Sequence, residues 1–131
     1  MKTSLTGRCA CAAIQYEADS DIEFAFQCHC RKCQRLTGGG HASAFALPVS
    51  EVKFTGKITE YEQDNEAGVT THSGFCSTCG SPVTSRSERF PERIYIHAAT
   101  LDDPALFHPS FSVFAPESQP WDNENPDLKK V

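Results

Sequence analysis

Seven cysteines sit in three tight clusters within a chain of 131 residues, and they constrain it more than any other feature. The clusters are Cys9-Ala10-Cys11, Cys28-His29-Cys30-Arg31-Lys32-Cys33 and Cys76-Ser77-Thr78-Cys79-Gly80. An odd count rules out complete disulfide pairing within the chain. The first residues, Met1 to Thr6, carry no hydrophobic signal core, so the expected compartment is the reducing cytoplasm. There, clustered cysteines point to metal or catalysis rather than disulfides. In C-x-x-C, a tight turn lets two thiolates face one ion, and Gly80 after Cys79 suits a turn that needs positive φ.

Structural zinc sites take four ligands, often as two pairs from distant parts of a chain. Cys9 and Cys11 with Cys76 and Cys79 form such a set. Cys28, Cys30 and Cys33 remain, and three protein ligands with one open position is the pattern of catalytic zinc. The spacing therefore predicts two zinc ions, one structural and one catalytic. Another partition stays open, in which His29 or His41 closes the middle site as a fourth ligand. His29 is the weaker candidate, because a residue between two ligands points away from the ion.

The rest of the sequence bounds the fold. Length fits a single domain over residues 1–131. Proline and glycine punctuate short alternating or β-branched runs at 13–17, 22–27, 42–47, 52–55, 58–61, 69–75, 82–85, 94–97 and 111–114. These read as strands, which makes the chain all-β or β-dominated. Residues 31–36 predict a short helix closed by Thr37-Gly38-Gly39-Gly40, and Pro104 opens another helical turn. Residues 116–131 are polar and are expected to form a loosely packed tail, except around Trp121, expected to be a packing anchor. His97, in an apolar strand, is expected to be structural.

Net charge is −5, with no basic patch of nucleic-acid type and no apolar run of membrane length. Neither nucleic acid nor membrane is an expected partner. The one local basic cluster, Arg31, Lys32 and Arg35, suits a small anion.

The order C-x-C, C-H-C-x-x-C, F-C-x-x-C-G-S resembles the glutathione-dependent formaldehyde-activating enzyme family, which includes the centromere protein V type. The matching residues are Gly7 to Cys11, Cys28 to Cys33 and Phe75 to Ser81; Ala99 to Pro104 and Pro120-Trp121 resemble its later motifs. The resemblance implies several coiled antiparallel sheets with little helix, a structural zinc on Cys9, Cys11, Cys76 and Cys79, and a catalytic zinc on Cys28, Cys30 and Cys33. It also implies a carbon–sulfur lyase that joins glutathione to formaldehyde, giving S-hydroxymethylglutathione. Arg31, Lys32 and Arg35 would then pair with glutathione carboxylates, and His41 could move a proton. Ala12 and Ala99 stand where the family pattern has glycine, and Ser112 where it often has histidine. The rival readings are a non-catalytic zinc-binding module and a thiol redox switch on the middle cluster.

Overall fold

A computed structural model describes residues 3–131. Eleven strands and one α-helix follow in order: β1 Thr3–Arg8, β2 Gln15–Ser20, β3 Phe24–Cys28, α1 Arg31–Thr37, β4 Ala42–Pro48, β5 Val52–Thr55, β6 Thr59–Asp64, β7 Thr70–Phe75, β8 Pro82–Ser87, β9 Arg93–His97, β10 Phe111–Val113 and β11 Lys129–Lys130. They form a small sheet, β1-β2-β5, and a large one, β11-β10-β3-β4-β9-β8-β7-β6. The β-dominated class read from the sequence is the one observed. Pairing is antiparallel except at one edge, where β10 runs parallel to both β3 and β11.

The main core lies between the sheets. Leu5, Tyr16 and Ala18 from the small sheet meet Ala25, Phe45, Leu47, Ile94 and Ile96 from the large one. Strand alternation sends these residues to one face and their neighbours to the other. Phe45, Leu47 and Ile96 are fully buried, and removing each from water contributes about 1.5–3 kcal/mol. A second cluster, Ile14 and Val83 with Cys9 and Cys76, packs beneath the four-cysteine site.

The opposite face of the large sheet is aromatic at one end. Phe26 stacks on Phe111 at 5.7 Å and meets Tyr95 edge-on at 5.7 Å. Moving across the sheet, Tyr95 pairs with Ser85, Ser85 with Ser73, and Ser73 with Tyr61. Two serines between two tyrosines leave a hollow. At the far edge, β6 exposes Glu60, Glu62 and Asp64 along an otherwise open strand, and such charge protects an edge from pairing with other chains.

Three features differ from the sequence expectation. β1 carries a single large apolar residue, Leu5, and was not among the expected strands; pairing with β2 and complete burial of Leu5 hold it in place. The segment after residue 116, expected to be loose, is anchored by buried Leu128 and by β11 pairing with β10. Trp121, expected as a packing anchor, is 68% exposed; the fixed residue there is its neighbour Asp122.

Candidate metal centre and cavity

Cys9 and Cys11 follow β1, and Cys76 and Cys79 form the turn between β7 and β8, so this cluster bridges the two sheets. Cys11 Sγ lies 3.7 Å from both Cys9 Sγ and Cys76 Sγ. A tetrahedral zinc with bonds of about 2.3 Å places its sulfurs about 3.8 Å apart, so this donor set fits a four-thiolate zinc. Backbone and hydroxyl groups surround the sulfurs. Ile14 N donates to Cys9 Sγ at 3.3 Å, and Ser81 Oγ lies 3.2 Å from Cys79 Sγ while accepting from Ala10 N at 3.0 Å. The Ser81 hydrogen bonds pull the Cys79 thiol down to about 5. Gly80 turns the chain at φ 80°, as the spacing requires.

The middle cluster is built at a strand-to-helix junction. Cys28 ends β3, Cys30 caps α1, and Cys33 lies in its first turn. Cys30 Sγ accepts from Cys33 N at 3.3 Å, an N-cap bond made by sulfur. Hydrogen bonds from the Cys28 and then the Cys33 thiol hold Cys30 far below the ordinary thiol range, while sharing with Cys30 raises Cys28 to about 11. The arrangement favours the thiolate form at Cys30 over its two neighbours. No fourth Cys, His, Asp or Glu joins the three among the described residues. The donor set fits zinc with one position left for another ligand.

Neither candidate histidine closes that position. His29 is buried and turned toward His41, with ring centroids 5.0 Å apart. His41 Nδ1 lies 2.8 Å from Asp122 Oδ2, and His29 Nδ1 lies 3.6 Å from the same oxygen. These three residues form a separate polar cluster behind the thiols.

Gln34, which carried no sequence signal, ties this region together. It is buried, and its Nε2 donates to His29 O at 2.8 Å and Glu117 O at 3.0 Å. Its Oε1 accepts from Gln119 Nε2 at 3.1 Å and from the Arg31 guanidinium. Arg31 is therefore partly engaged within the protein. Lys32 donates to the Thr71 hydroxyl, and Arg35 stands exposed on α1.

A cavity of about 470 Å³ opens beside Cys28 and Cys33, over the serine hollow of the large sheet. A more polar cavity of about 590 Å³, lined by Arg8, His41 and Asp102, adjoins it through Thr37, Ala42, Pro82 and His97. His97, expected as structural, thus stands in the wall of both. Burial lowers its pKa and keeps the imidazole neutral.

The family model for the glutathione-dependent formaldehyde-activating enzyme matches residues 4–117. The chain belongs to that family. A relative from Halomonas elongata, named for glutathione-dependent formaldehyde activation, is 28% identical over 106 residues, 75% of this chain. The chain spans 66% of that relative's length. A crystal structure of a Rhodobacter sphaeroides protein shares the fold, with a TM-score of 0.59, 24% identity, and coverage of 74% of this chain and 87% of that one. All three cysteine clusters lie within the matched family region. Among the described residues, no helix is long and apolar enough to cross a membrane.

Proposed function

We propose that the protein is a zinc-dependent carbon–sulfur lyase acting on a glutathione adduct in the cytoplasm, with S-hydroxymethylglutathione as the simplest product. The observation that carries this reading is the convergence of Cys28, Cys30 and Cys33 with no fourth protein ligand among the described residues, Cys28 and Cys33 lining a cavity wall. Membership of a family named for glutathione and formaldehyde supports the substrate class. Cys9, Cys11, Cys76 and Cys79 hold a structural zinc, and Cys28, Cys30 and Cys33 hold the catalytic one.

When bound at the middle cluster, the metal favours the thiolate form of an incoming thiol. The chain supplies the rest. The strand-to-helix junction fixes three sulfurs on one side of the substrate sulfur. His97 stands as a neutral imidazole in the wall shared by the two cavities. The sulfur then adds to the carbonyl carbon, the C=O pair moves to oxygen, and the proton ends on that oxygen. Lys32, held at the cavity margin by Thr71, is the cation best placed for a glutathione carboxylate; Arg31 and Arg35 add positive charge on the same helix.

The uncatalysed addition is fast, so the test is exchange between formaldehyde, glutathione and adduct, followed by magnetisation-transfer NMR with and without protein. Wild-type protein accelerates the exchange. Cys30→Ser abolishes the acceleration while keeping the wild-type circular dichroism spectrum; unchanged acceleration in that variant would falsify the reading.

A further inference from the structure

The cavity beside the middle cluster is poorly matched to a one-carbon unit. Its volume is about 470 Å³, whereas a group the size of a water molecule needs about 30 Å³. Its wall contains no Asp, Glu, Lys or Arg. Phe26, Tyr95 and Phe75 supply apolar surface, and Ala44, Ser73 and Ser85 keep the floor low. The nearest cation, Lys32, reaches only the margin through Thr71.

The mouth carries a second, independent sign. Three of the large apolar side chains exposed on this protein line this one cavity: Leu36 at 37%, Tyr61 at 52% and Phe114 at 54%. Phe114 also has φ 56°, a left-handed conformation that is strained for a bulky side chain. Strain of this kind clusters at functional sites. An exposed aromatic held at a conformational cost, on the rim of an apolar cavity with two thiols in its wall, is placed to cover a ligand.

We propose that the carbonyl partner of the thiol is an aldehyde with an aryl or alkyl body, larger than formaldehyde, seated in this cavity against Phe114 and Tyr61. The proposal rests on the lyase reading above for its thiol. In the addition, the sulfur–carbon bond forms, the C=O π pair moves to oxygen, and the S–H proton ends on that oxygen. No oxidant or reductant is needed. The charged body of the thiol component lies outside this cavity, with one carboxylate at Lys32 on its margin and the rest toward the polar cavity that adjoins at Thr37, Ala42 and His97.

Stable thioethers mimic such adducts, so the test is calorimetric titration of metal-replete protein with S-methyl-, S-propyl-, S-hexyl- and S-benzylglutathione. Affinity rises by about fourfold per added methylene until the cavity is full, and S-benzylglutathione binds at least about tenfold more tightly than the methyl compound. Phe114→Asn places a residue at ease with positive φ at the rim. It keeps or raises the melting temperature, weakens S-hexylglutathione about tenfold, and leaves S-methylglutathione within about twofold. Tyr61→Ser, at the other exposed aromatic, gives the same selective loss. A flat alkyl series overturns the proposal while leaving the glutathione reading intact. A rising series that neither variant alters overturns it too, since the apolar body then sits elsewhere. If the glutathione compounds fail to bind but 1-hexanethiol and benzyl mercaptan bind with the same rise, the glutathione reading falls and the apolar cavity stands. If neither series binds, both fall.

Discussion

Ala12 carries a cost that a glycine would not. It has φ 67° in the turn behind Cys11, where a side chain pays about 1–2 kcal/mol for the left-handed conformation. Ala12→Gly is expected to raise stability by about 0.5–1 kcal/mol after its greater unfolded-state entropy is subtracted, read as a higher midpoint in urea. Gln34 works in the opposite direction. Its amide satisfies the His29 and Glu117 carbonyls, so Gln34→Leu leaves buried acceptors unpaired and should lower stability by about 2–3 kcal/mol. Denaturant melts check this, and a loss smaller than about 1 kcal/mol argues that water replaces the amide. The cysteines were legible because spacing alone carries their meaning. Gln34 was not, because a single amide in a short helix has no pattern until its partners, 83 and 85 residues away, are brought beside it.

At the level of elements, most strands could be read from alternation, and β1 could not. Thr3 to Arg8 offers only one large apolar residue, and its strand character comes from pairing with β2. The cavity was hidden for a related reason. Ser73 and Ser85 are unremarkable in their own strands; only the register that aligns Tyr95, Ser85, Ser73 and Tyr61 makes them a floor. The same edge of the sheet is braced across β7 by Arg86, which donates to Glu60 at 2.7 and 2.9 Å. That pair, led by the hydrogen bond, lowers the Glu60 pKa. A carboxylate with a lowered pKa stabilises the fold above its unfolded pKa and loses that contribution as pH falls through the folded value. Both side chains are partly exposed, so the pair is worth no more than about 1 kcal/mol. Glu60→Gln should therefore be less stable than wild type by that amount at pH 7, and the gap should close as pH falls below about 4. Thermal melts across the pH range measure it, and a gap that persists at pH 3 would show that packing, not charge, was lost.

For the molecule as a whole, the four-cysteine cluster joins two sheets that also meet through the hydrophobic core and through the Gly7–Leu101 bridge and the Tyr16–Thr100 hydrogen bond. On the proposed zinc assignment, removing the metal from this cluster should loosen the small sheet first. A strong chelator is expected to lower the melting temperature by more than 10 °C, given a structural zinc worth about 10 kcal/mol in apparent binding. Metal analysis should find two zinc ions per chain before treatment, and Cys79→Ser should hold one. A chain that melts identically with and without chelator would remove the structural role. The joint also has a consequence for synthesis. Cys11 and its partner Cys76 are separated by 65 residues, so at 5–20 residues per second the ribosome delivers the second pair roughly 3–13 s after the first. Throughout that interval the opening hairpin of the nascent chain carries two unclaimed thiols, and whatever meets them first, oxidant or metal, arrives before their native partners do.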